Sequence, residues 1–115
     1  EPTPQSAEIV REACAIVEEE IETASKNKEM TRPWQYFAVL LPVKAVGVHG
    51  DCRAYGNIVV VRSVESKDGM SASYSKIPHS VLERISVRIT NTLKNSVSRV
   101  VYDVTNKPPG TIEYE

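Results

Sequence analysis

Two groups of charged residues have types and spacings suited to holding a ligand. Near the C-terminus, Lys107 precedes Pro108-Pro109-Gly110, and Glu113 follows Thr111-Ile112. Two consecutive prolines remove two backbone donors and fix φ, and Gly110 then frees the chain to turn, so 105–115 reads as a shaped loop. Ile112 and Tyr114 alternate with Glu113 and Glu115 as in a strand. Lys107 ahead of the rigid dipeptide, with carboxylates after it, puts opposite charges at the lips of a small pocket; a C-terminal edge strand with a solvated lysine is the plainer alternative. In the second group, His49, Asp51 and Arg53 alternate with Gly50 and Cys52, so an extended chain carries all three on one face. Arg53 as a fork and Lys107 as a point charge could together hold a phosphate, each contact contributing about 1.5–3 kcal/mol. Carboxylates suit ribose hydroxyls or a base N–H, because an ionised carboxylate only accepts hydrogen bonds. The alternative for Asp51 and Arg53 is a bridge across a surface turn, which contributes little.

The elements around these groups follow from periodicity. Thr3-Pro4 reads as an N-cap and first turn, and apolar residues recur at Ile9/Val10, Ala13/Cys14, Ile16/Val17, Ile21 and Ala24, which gives one amphipathic helix of about five turns. Glu8, Arg11, Glu12, Glu18, Glu19 and Glu22 form its expected solvated face. Residues 36–48 are β-branched, aromatic and nearly all apolar, so they read as strand, with Pro42 implying an edge position or a break. Residues 50–56 form the hairpin turn and 57–64 the return strand. A connector over 65–76, rich in Ser, Asp, Gly and Lys, is expected to be the most mobile segment. Pro78 opens a second helix, supported by a Ser80-to-Glu83 capping box and by apolar Val81/Leu82, Ile85, Ile89 and Leu93. Strands over 98–104 and 111–114 complete the order α-β-β-α-β-β. The predicted fold is α+β: a two-layer sandwich with a mostly antiparallel sheet and both helices on one face. The other sheet face is then bare and apolar, which predicts a homodimer or a docked neighbour.

At 115 residues the chain is one compact domain, 1–115, with no room for a second core. With 14 basic and 15 acidic residues the net charge is −1, which argues against a general electrostatic grip on nucleic acid or anionic membrane. No apolar run approaches a membrane span and no signal-peptide pattern opens the chain, so the expected location is cytoplasmic. Cys14 and Cys52 are expected as free thiols, and no metal site is expected, since only His49 and His79 add to the ligand count. The start at Glu1 suggests a fragment or a processed product. Gly47-Val48-His49-Gly50 matches the Gly-x-x-Gly of a KH RNA-binding module, yet it lies within an apolar strand rather than between helices. No phosphate loop and no Ser/His/Asp or Cys/His signature is present, so no catalytic residue is assigned.

The runs 41–55 (LPVKAVGVHGDCRAY), 82–86 (LERIS) and 99–115 (RVVYDVTNKPPGTIEYE) closely resemble the C-terminal dimerisation domain of GMP synthetase, in order and over nearly the whole chain. The resemblance implies a three-part enzyme. A glutaminase supplies ammonia, an ATP pyrophosphatase adenylates XMP, and ammonia displaces AMP to give GMP. Neither of those domains is contained in this chain, so alone it is expected to be inactive, and its implied roles are homodimerisation and completion of the XMP pocket. The resemblance further implies ATP and Mg2+ for the full enzyme, with no cofactor bound by this domain, and a pyrophosphatase and a glutaminase, as domains or subunits, for partners. It assigns Lys107 to the XMP phosphate, Glu113 and the Ile112 backbone to the adjoining substrate contacts, and Asp51 and Arg53 to the Gly-Asp-x-Arg turn that reaches XMP. His49 stands where many members have glutamine, and a neutral imidazole replaces one donor but not both amide functions. Tyr114 stands where tryptophan is common. The rival reading is a stand-alone, KH-like α+β interaction module that shares only the fold and has no enzymatic role.

Overall fold

The computed structural model describes residues 3–49, 52–66, 70–108 and 110–111, and for residues 49 and 52–54 the backbone alone. Thr3 caps the first helix, α1 (Pro4–Lys26), through a reciprocal pair: Ser6 N–H donates to Thr3 Oγ1 at 3.0 Å and Thr3 N–H to Ser6 Oγ at 2.8 Å. Proline in the first turn suits a helix start, where its missing donor is not required. Ile9, Ala13, Ile16, Val17, Ile21 and Ala24 form the buried stripe expected from their spacing. The expected outer face is exposed apart from half-buried Glu12, and carboxylates on and beside it also have partners. Glu19 and Glu20 pair with Arg88, Glu20 and Glu29 pair with Arg84, and Glu22 accepts a hydrogen bond from the Tyr36 hydroxyl. A second helix lying alongside supplies the cations, which no single-helix pattern reveals.

Strand β1 (Gln35–His49) and strand β2 (Cys52–Glu65) form one long antiparallel hairpin. Pro42 has the effect expected of it: Leu40 pairs with Val59 and Lys44 with Asn57, so Leu41, Pro42 and Val43 stand opposite the single Ile58. Among the described residues β1 pairs only with β2, so it is also an edge strand. Gly47 therefore lies within a hairpin strand, and the KH-type geometry between two helices is not present.

The connector expected to be mobile contains a two-residue strand, β3 (Ser73–Tyr74), paired antiparallel to β2 at Val64 and Glu65. Helix α2 (His79–Thr92) then begins with Pro78 at its N-cap and no side-chain cap. The expected Ser80-to-Glu83 box is absent because the helix starts before Ser80, whose side chain then lies inside the first turn. Strand β4 (Val97–Tyr102) runs parallel to β2, with Val59 opposite Val100 and Val61 opposite Tyr102. The order is α-β-β-β-α-β, an α+β sandwich whose sheet is mostly antiparallel. The expected last strand, 111–114, falls outside the described residues apart from Thr111.

Both helices cover one face. Ala38, Val59 and Val61 meet Ile16, Val17, Ile21, Val81, Ile85 and Ile89 in a single core. Burying such side chains stabilises by roughly 1.5–3 kcal/mol each, which makes this layer the main source of stability. Cys14 is a free thiol, with Sγ 3.3 Å from the Ala38 carbonyl oxygen; the Cys52 side chain lies outside the described residues. No helix among them is long and apolar enough to cross a membrane. No group of three or more His, Cys, Asp and Glu residues among them could hold a metal.

Candidate functional site

After β4 the chain crosses the end of the sheet opposite the hairpin turn, and a series of polar contacts fixes its course. Thr105 N–H donates to Asp103 Oδ1 at 2.9 Å, a short Asx-type turn that redirects the backbone. Tyr74 N–H donates to Asn106 Oδ1 at 2.9 Å. Lys107 then forms a two-way antiparallel bridge with Ala72, at 2.7 Å and 2.9 Å. The Lys107–Pro108 peptide is cis, and Gly110 N–H returns to the Asn106 carbonyl at 2.8 Å. A cavity of about 710 Å³ opens there, lined by Lys107, Pro108, Asn106, Glu65, Ser66 and Ser71 among others. The tail is thus a shaped loop beside a pocket carrying both a cation and a carboxylate. The loop is expected from its prolines and glycine; the carboxylate among the described lining residues is Glu65, which belongs to β2 and is remote from the tail in sequence, while Glu113 lies outside the described residues.

Behind the cavity lies a buried polar seam. Ser63 Oγ donates to Ser75 Oγ at 2.8 Å, and Ser75 is also within 2.8 Å of Glu65 Oε2. The Tyr102 hydroxyl donates to the Ser75 carbonyl at 2.6 Å and approaches that of Ser63 at 3.3 Å. Burial pushes this phenol up to about 12, against smaller lowering effects from the Ser63 contact and the Arg62 charge. The seam ties β3 and the residues after it to β2, and β3 in turn carries the tail.

The other predicted group sits elsewhere. The backbone pairs His49 with Cys52 and Val48 with Arg53 at the hairpin end of β2. Glu65, which lines the tail cavity, ends the same strand. At about 3.3 Å per residue, Arg53 and Glu65 are roughly 40 Å apart along β2. A single chain therefore does not bring Lys107 and Arg53 together over one nucleotide. Asp51, Ile112 and Glu113 lie outside the described residues, as do the side chains of His49 and Arg53. The hairpin itself is anchored by Ser98, whose Oγ donates to the Ala45 carbonyl at 2.8 Å. Gly47 and Gly56 make room for it, since a Cβ on either would lie 2.8 Å from the Ser98 side chain.

The architecture is that of an α+β domain with a long hairpin at one end of its sheet and an anchored C-terminal tail at the other. A sequence model described as the GMP synthase C terminal domain matches residues 19–114, and the chain belongs to that family. It is 58% identical over all of its 115 residues to a subunit of the glutamine-hydrolyzing GMP synthase of Pyrococcus furiosus, covering 35% of that protein. With the corresponding subunit of Thermoplasma acidophilum the identity is 53% over the full chain and 36% of the relative. With the glutamine-hydrolyzing GMP synthase of Limosilactobacillus reuteri it is 52%, over 22% of the relative. The chain thus spans about a third of the length of the first two relatives and less of the third.

Proposed function

We propose that this domain serves a glutamine-hydrolysing GMP synthase by pairing with a second copy of itself and completing the pocket for XMP, with ATP-dependent activation and ammonia supply carried by the rest of the enzyme. In this reading Lys107 neutralises the nucleotide phosphate, Glu113 and the Ile112 backbone adjoin it, and Asp51 and Arg53, with His49 beside them, approach from the hairpin turn. The observation that carries the pairing is the distance along β2 between the two groups. If both serve one nucleotide, the hairpin of one copy must reach the tail of the other. The helix-free face supports such a meeting: Phe37 and Val39 are only partly covered there, and Val101 is exposed.

Mixing of copies tests this directly in the full enzyme. Lys107→Ala and Arg53→Ala should each raise the XMP requirement, by about 10- to 100-fold for one lost charge-assisted contact. Hybrid dimers carrying one variant in each copy would hold one doubly altered and one intact site. Random reassociation should therefore restore about a quarter of wild-type activity at low XMP. No recovery would place both residues in the same copy's site, and unaltered single variants would remove them from the site altogether.

A further inference from the structure

Arg62 stands in the middle of β2 on the face away from the helices, between Val60 and Val64, and is wholly buried. Such a position in a strand of valines calls for an apolar residue. Its guanidinium instead gathers the chain after β4. Nη1 donates to the Asp103 carbonyl at 3.2 Å and lies 3.4 Å from Asp103 Oδ1, and Nη2 donates to the Thr111 carbonyl at 2.9 Å. One planar fork thus holds the first and last described residues of the loop that carries Lys107. Nε is buried with no hydrogen-bond partner among the described residues. A buried ion pair is a poor stabiliser compared with an apolar side chain of similar volume, so stability does not explain the residue.

We infer that Arg62 is a positioning residue for the XMP pocket: by bridging Asp103 and Thr111 it ties together the two ends of the segment that carries Lys107 and so sets where Lys107 meets the substrate. Its fork geometry is the relevant property. Lysine keeps the charge but offers no planar pair of donors to two carbonyls at opposite ends of the loop. This rests on the assignment of the tail to XMP made above, and its test separates the two.

In the full enzyme, Arg62→Lys should raise the KM for XMP by about 10-fold, from the loss of a bridging contact to a charged donor. The KM for ATP and kcat should stay within about twofold, because an interaction made equally in the bound and transition states moves KM alone. Arg62→Met, which keeps volume without donors, should do worse than lysine, and Asp103→Asn, which weakens only the ion pair, should raise the XMP KM by about 3-fold. Should both Arg62 variants fail to fold, Asp103→Asn remains, together with hydrogen exchange of wild-type enzyme: the amides of Lys107 and Gly110 should be protected before XMP is added. A folded Arg62→Lys enzyme with unchanged XMP KM would overturn the inference, as would unprotected Lys107 and Gly110 amides. An unchanged XMP KM in Lys107→Ala would instead overturn the assignment of the tail.

Discussion

On the helix side of β2, Val59 and Val61 are buried against α1 and α2; on the opposite side, Val60 and Val64 flank a buried arginine that grips the C-terminal tail. Neighbouring residues of one strand thus do different work. Apolar contacts are non-directional and roughly proportional to area, so the helix side holds the layers together without dictating the path of any loop. A guanidinium is directional, with donors in a fixed plane, so the tail side specifies where a chain segment lies. Stability and site geometry are therefore separable in this domain, and substitutions on the two sides should show different signatures.

The largest effect belongs to the helix side. Ile89→Ala removes a fully buried side chain and should lower the unfolding free energy by about 2–5 kcal/mol in urea titration. The XMP KM of the folded fraction should stay unchanged, the reverse of the pattern for Arg62→Lys. If Ile89→Ala raised that KM as much, the two sides would not be separable. Tyr102, whose hydroxyl joins β4 to Ser63 and Ser75, sharpens the comparison from the seam between them. Tyr102→Phe should cost about 1 kcal/mol at neutral pH. Because folding raises this phenol from 10.0 to about 12, its neutral form is favoured in the native state. That contribution is complete below pH 10 and is lost as pH rises through about 12. The stability gap between wild type and Tyr102→Phe should accordingly shrink from about pH 10 to about pH 12 in denaturation curves, and a constant gap would refute the assignment. The smallest effect is expected at the outer rim. Arg88→Ala removes half-exposed pairs with Glu19 and Glu20 and should cost under about 1 kcal/mol, less still at high salt.

The helix side was legible in the sequence because its information is periodic. Ile9 through Ala24 and Val81 through Ile89 declare their stripes, Thr3-Pro4 declares a helix start, and Pro42 declares an interruption in an apolar strand. The tail side was legible only in part. The Pro-Pro-Gly turn and Lys107 stand out locally, but the partners that fix them, Ala72, Tyr74 and Arg62, are distant in sequence, and two of the three act through backbone groups that any residue possesses. Few apolar residues anchor the tail, and hydrogen bonds set the course of its described residues as far as Thr111. Strand β3 escaped for the same reason: two residues in a polar connector carry no alternation, and β2 and the tail on either side supply its pairing. Arg62 gave no signal at all, because a lone arginine in a strand is ordinarily read as pointing to water.

The interruption at Pro42 has a consequence for assembly. The outer rim of β1 presents its donors and acceptors over a long stretch, the kind of edge on which sheets grow into fibrils. Proline contributes no donor, and three residues set against one throw the two halves of the strand out of phase. An incoming strand can match one half or the other but never the whole, which disfavours edge-to-edge polymerisation along β1.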